Sequence, residues 1–141
     1  QRLERKIKSG ADYILTQPIY SSEKMMELKN AIKHIDTPIF VGIMPLTSTR
    51  NAEFLHHEVP GIKLTDDVRA RMKAAEGDRA KSTEESIAIS KELIDTAIEH
   101  FNGIYLITPF MRYDIVVELV NYIHDKTKTY SKEKTLSSAE L

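Results

Sequence analysis

Ala11-Asp12-Tyr13-Ile14-Leu15-Thr16-Gln17, stopped by Pro18, and Pro38-Ile39-Phe40-Val41-Gly42-Ile43-Met44, stopped by Pro45, decide the fold of this chain. Each is a short apolar run ended by proline, which forces the residue before it to be extended. The second run does not alternate polar with apolar. It reads as a strand buried on both faces, the mark of a parallel sheet covered by helices. Between the runs, Met25, Leu28, Ile32 and Ile35 recur at helical spacing and predict an amphipathic helix over 23–35.

The same alternation extends outward. Leu3 and Ile7 share a face of a first helix, and Gly10 stands where a left-handed C-terminal residue belongs. A short helix over 49–57 has Ala52 and Leu55 inward and breaks at Pro60-Gly61. Ile62-Lys63-Leu64 reads as a short strand, and Thr65-Asp66-Asp67 as the cap and acidic first turn of a helix over 66–75. Residues 77–81 read as a loop. Ser82 and Glu85 then have capping-box spacing, and Ile87, Ile94, Ala97, Ile98 and Phe101 line a long helix. Gly103-Ile104-Tyr105-Leu106-Ile107-Thr108, closed by Pro109, is the fourth strand. Ile115, Val116, Leu119, Val120 and Ile123 form the inner face of the last helix.

The expectation is an α/β fold with four parallel strands, helices outside, and right-handed crossovers. An open doubly wound sheet would carry a Gly-rich turn after its first strand, and no G-x-G-x-x-G is present. The proline punctuation favours a TIM (β/α)8 barrel. A whole barrel takes about 250 residues, so four strands are its second half. The domain reads as 1–124, with 125–141 a polar C-terminal tail. The chain opens inside a helical pattern without an initiator Met and reads as a piece of a larger protein.

Composition narrows the chemistry. The chain has 141 residues, 20 Lys+Arg against 21 Asp+Glu, and a net charge of -1, which gives no bulk-charge drive toward nucleic acid or an anionic membrane. With no cysteine, disulfides, thiolate metal sites and a cysteine nucleophile are excluded. Hydrophobic residues at 41% and charged residues at 29% describe a globular protein, and no apolar run reaches the length of a membrane span. Without an export signal, the expected compartment is the cytoplasm.

In parallel α/β folds the chemistry lies beyond the C-terminal ends of the strands. Those positions hold no carboxylate pair, no histidine cluster and no serine elbow, so no catalytic acid or base is assigned to this chain. Gln17 is an amide on the end of a buried strand. It could read the amide-like edge of a heterocycle with two parallel hydrogen bonds, or it could bind a loop backbone. Lys63 could form a Schiff base if burial depressed its pKa, or reach solvent. Arg112, past the last strand, could hold an anion in its fork or lie on the surface. Arg5 and Lys6 could face a phosphate or form a solvated face. His56-His57 beside Glu53 and Glu58 lacks H-E-x-x-H spacing, so no metal is expected. Two rival functions remain open on these residues: a Schiff-base lyase using Lys63, and a small α/β binding module.

Taken together, residues 10–18, 38–45 and Val59-Pro60-Gly61-Ile62-Lys63 resemble the second half of methylenetetrahydrofolate reductases, in order and in spacing. The likeness covers roughly 1–124. It is greatest to the branch in which a homocysteine S-methyltransferase domain is joined to the reductase. The resemblance implies a barrel that binds FAD without a Rossmann domain. It implies that NAD(P)H reduces the flavin, which passes hydride to 5,10-methylenetetrahydrofolate and yields 5-methyltetrahydrofolate. It implies that Gln17 hydrogen-bonds the pterin, that Arg5 and Lys6 contact the flavin nucleotide's phosphates, and that Arg112 touches substrate, with Met111 as the competing alignment. Asn51 falls at a substrate-binding glutamine, and Leu55 at a position where some members stack a phenylalanine. The family's acid and its flavin-side aspartate fall in the first half of the barrel. The implied partners are that other half, the methyltransferase domain and further copies in a homo-oligomer. The chain alone is expected to be inactive, with weak or no FAD binding.

Overall fold

The computed structural model describes the backbone of residues 2–139 and the side chains of residues 2–129. The elements are α1 (Arg2–Lys8), β1 (Ile14–Pro18), α2 (Ser22–Ala31), β2 (Ile39–Ile43), α3 (Thr49–Glu58), α4 (Asp66–Ala74), α5 (Arg79–His100), β3 (Gly103–Leu106) and α6 (Tyr113–Ala139). The strands form one parallel sheet in the order β1-β2-β3. The α/β reading therefore holds.

Four strands were expected, and three are present among the described residues. The missing one is 62–64. Four consecutive strands of a barrel would set this segment between β2 and the last strand. Instead β2 pairs directly with β3, and Leu64 makes a single parallel bridge to Tyr20. The reason lies in its amides. The Ile62 N–H donates to Val59 O at 3.2 Å, and the Leu64 N–H donates to His56 Nδ1 at 3.1 Å. Both are spent on local partners, so no ladder can form on them.

The sheet is packed on one face. Ile39, Val41 and Ile43 point into the core, at 4%, 0% and 1% exposure. There α5 lies against β2 and β3, flanked by α2 and α6, and Met25, Ile94, Ala97, Ile115 and Leu119 close the layer. Among the described residues no helix lies over the opposite face, which carries Tyr13, Leu15, Phe40 and Tyr105. Leu15 is 52% exposed and Tyr13 60%. The burial expected of the second run holds for β2 at all positions but Phe40, although helices cover only one of its faces, while exposure alternates along β1.

Helix boundaries follow local chemistry. Ser21, Ser48, Thr65 and Asp78 cap α2, α3, α4 and α5 with their side-chain oxygens. The Asp78 cap corrects the expected start at Ser82. Ser82 lies inside α5 and donates to Ala75 O at 2.9 Å, while Glu85 pairs with Arg71 at 2.9 Å. Ser82, Ser86 and Ser90 recur every four residues on the buried side of α5, where periodicity in apolar residues gave no sign of them. The helix expected over 23–35 ends at Ala31, with Ile32 as its cap and still buried. Gly10 takes φ +100, as its position predicted. Helix α6 runs to Ala139, so the polar segment from 125 to 139 is helical. Gln1, Glu140 and Leu141, and the side chains from residue 130 onward, lie outside the described residues.

Candidate functional site

The C-terminal end of β1 departs from a regular ladder. Ile14 pairs with Ile39 and Leu15 with Phe40, but the next pair is Pro18 with Gly42. Two residues, Thr16 and Gln17, thus face the single residue Val41, which is the count of a β-bulge. Inside the bulge the Gly42 N–H donates to Thr16 Oγ1 at 3.0 Å, where a regular ladder would use a backbone carbonyl. The Thr16 hydroxyl in turn donates to Gln17 O at 2.7 Å. The carbonyl of Thr16 accepts from the Tyr105 hydroxyl, which reaches it from β3 across the whole of β2.

That reach requires Gly42. A Cβ there would stand 2.8 Å from Tyr105 Oη. Partial burial raises the Tyr105 pKa, so the phenol stays protonated and donates.

The bulge leaves Gln17 exposed at the strand end. Its Nε2 donates to Pro60 O at 3.3 Å, and its Oε1 lies against Gly61. Gly61 has φ +86, and a Cβ on it would fall 2.5 Å from that oxygen. Of the two readings open for Gln17, the structure has the bond to a loop backbone. The amide nonetheless stays at the surface, where a ligand could replace the carbonyl. Beside it, buried Tyr20 donates to Met44 O at 2.7 Å and ties the end of β1 to the end of β2.

The other residues singled out from sequence are each held locally. Asn51 Oδ1 accepts from the Thr47 N–H at 3.2 Å and shapes the loop after β2. Arg112 donates to both carboxylate oxygens of Asp114, at 3.0 and 2.7 Å, and to Thr83 Oγ1 at 3.1 Å. This fork holds the Asp114 carboxyl down to about 2. The Nη1 of Arg112 has no partner among the described residues. Arg5 and Lys6 are exposed on α1, in no ion pair among the described residues. No hydrogen bond joins Gln17, Asn51 and Arg112.

Leu55 is buried at 6% and belongs to the core, so it offers no stacking surface. Past β3, Phe110 and Met111 are 81% and 78% exposed, and Phe110 has φ +52. Lys63 is exposed, lies on no strand and donates to His56 O at 2.8 Å, an arrangement that gives a Schiff base no desolvated amine. His57 pairs with Glu53 at 3.1 Å, while His56 accepts from Leu64. Desolvation, then Arg69, lowers the His56 pKa and keeps the ring neutral for that role. Among the described residues no three His, Asp or Glu side chains are grouped to hold a metal ion, and no helix is long and apolar enough to cross a membrane.

Sequence reasoning missed Thr16 and Tyr105 as parts of the site. The available signal was Gly42, since a glycine inside a strand marks a bulge or a close approach. It also missed the fork between Arg69 and Glu53, at 2.8 Å on both arms, which joins α4 to α3.

The family described as methylenetetrahydrofolate reductase matches residues 1–114. An uncharacterized protein from Clostridium thermocellum that binds two copies of 5-methyl-5,6,7,8-tetrahydrofolic acid has a similar structure. The likeness covers 89% of this chain and 47% of that one, at 21% identity and a TM-score of 0.55. It shows a shared fold, and the chain spans about half the length of that protein. No curated protein matches the chain.

Proposed function

The chain belongs to the methylenetetrahydrofolate reductase family, and on that premise we propose that it supplies the folate-recognising half of a flavin-dependent reductase. The observation that carries this reading is Gln17. An amide is presented at the C-terminal end of a strand, on a sheet whose other face is left uncovered. We read that face as the inner wall of a barrel that the rest of the whole protein completes, with residues 62–64 joining the sheet only there.

Each residue has a stated part. Gln17 exchanges its bond to Pro60 O for two bonds to the amide-like edge of the pterin. Asn51 spends its oxygen on the loop and keeps its amide N–H groups for substrate. Arg112 is oriented by Asp114 and Thr83 and offers Nη1 to an acceptor on the substrate. For FAD the residues present fit one part only: the free cations Arg5 and Lys6 suit its phosphates. When bound, FAD would supply the hydride carrier between NAD(P)H and 5,10-methylenetetrahydrofolate, whose reduction would yield 5-methyltetrahydrofolate. The acid for that step, most of the flavin cradle and a methyltransferase domain belong to the whole protein. Hydride transfer needs its reacting atoms held about 3–3.5 Å apart in a closed site, which one open wall cannot do. The isolated chain is therefore inactive, and its uncovered face pairs with a second copy.

Titration with 5-methyltetrahydrofolate, followed by amide NMR shifts, tests the reading. Shifts should centre on Gln17, Gly61 and Arg112 and require about tenfold more ligand in Gln17→Ala. Equal binding by that variant would remove the proposal's basis.

A further inference from the structure

We propose that Tyr105 is a positioning residue for Gln17, locking the bulge that aims the amide; this rests on the reading of Gln17 as the folate contact. Three observations converge on it. The bulge leaves the Thr16 carbonyl outside the ladder, because the Gly42 N–H that would serve it is taken by Thr16 Oγ1. The Tyr105 hydroxyl fills that gap from two strands away. Gly42 leaves the lane the phenol needs, since any Cβ there would collide with it.

The consequence concerns register. A one-residue slip in strand pairing sends every side chain to the opposite face. Without a donor on the Thr16 carbonyl, β1 gains by abandoning the bulge and restoring a backbone bond to Gly42. That slip would carry Gln17 off the Pro60-Gly61 turn. Tyr105 prevents it without touching Gln17, and so acts on substrate only through that residue.

The test uses the whole chain and two variants, Tyr105→Phe and Gly42→Ala. The first removes only the hydroxyl, and the second crowds the ring while keeping it. In both, hydrogen exchange at the residue-42 amide, corrected for its intrinsic rate, should slow by about fivefold or more, as its partner changes from the Thr16 hydroxyl to a backbone carbonyl. The Gln17 side-chain amide signals should broaden or split. With 5-methyltetrahydrofolate as probe, Tyr105→Phe should weaken binding about fivefold when Gln17 is present and leave it unchanged in the Gln17→Ala background. Unaltered or faster exchange at residue 42 in both variants would overturn the proposal, as would equal weakening in the two backgrounds. If Gln17→Ala binds as the parent chain does, the folate reading fails, while Gly42 exchange still decides whether the brace exists.

Discussion

The two faces of the sheet obey different rules. On the helix side, Val41, Ile43, Ile94 and Leu119 are at 1% exposure or less, and each touches other buried side chains. On the other side Leu15 and Tyr13 are more than half exposed, and polar bonds replace packing: Tyr105 to Thr16, Thr16 to Gly42, Gln17 to Pro60. The contrast teaches that this chain holds its shape with one face and sets a network of polar bonds, the site proposed for recognition, on the rim of the other. Stability and recognition should therefore respond to different residues.

Breaking the packed face should cost most. Ile94→Ala should lose about 2–5 kcal/mol in urea unfolding, the usual range for emptying a closed core position. A loss under about 1 kcal/mol would mean that this face is not the main support. Thr65→Ala removes the α4 cap and should cost about 1 kcal/mol, measured in the same way, with the Gln17 amide signals unmoved.

The surface fork between α3 and α4 should show itself in acid. The Arg69 hydrogen bonds beside Glu53 hold its carboxyl down to about 2, against an ordinary 4.5. A lowered pKa adds stability above the ordinary value, and that stability is lost as pH falls toward the lowered one. Glu53→Gln should therefore flatten the fall of the urea midpoint between pH 4.5 and 2. An unchanged slope would show the fork to be idle. Smallest in stability is the open face. Leu15→Ser should change unfolding by no more than about 0.5 kcal/mol, yet reduce concentration-dependent association in light scattering. Association that ignores this change would place the contact elsewhere.

The sequence made the packed face legible because burial leaves a period. Residues 39–43 and the stripe through Ile94 and Ala97 appeared as apolar repeats, and capping at Thr65 followed from a hydroxyl before two acids. The failures share a cause. Residues 62–64 have a strand's composition, but His56, seven residues upstream of the segment's centre, captures the Leu64 amide. The serines of α5 are buried because they are small, a matter of helix spacing rather than polarity. Gln17 and Arg112 were visible as residue types at strand ends. Their partners, Pro60 and Asp114, depend on a bulge and a turn that periodicity does not encode. Tyr105 was hidden further, because its role depends on a missing side chain on the neighbouring strand and on a carbonyl one strand beyond it.

Flavin fluorescence titration of the isolated chain tests the central claim most directly. A half-open wall with only Arg5 and Lys6 for the nucleotide should bind FAD more weakly than micromolar and show no reduction of 5,10-methylenetetrahydrofolate. Submicromolar binding of FAD by this chain alone would contradict the account.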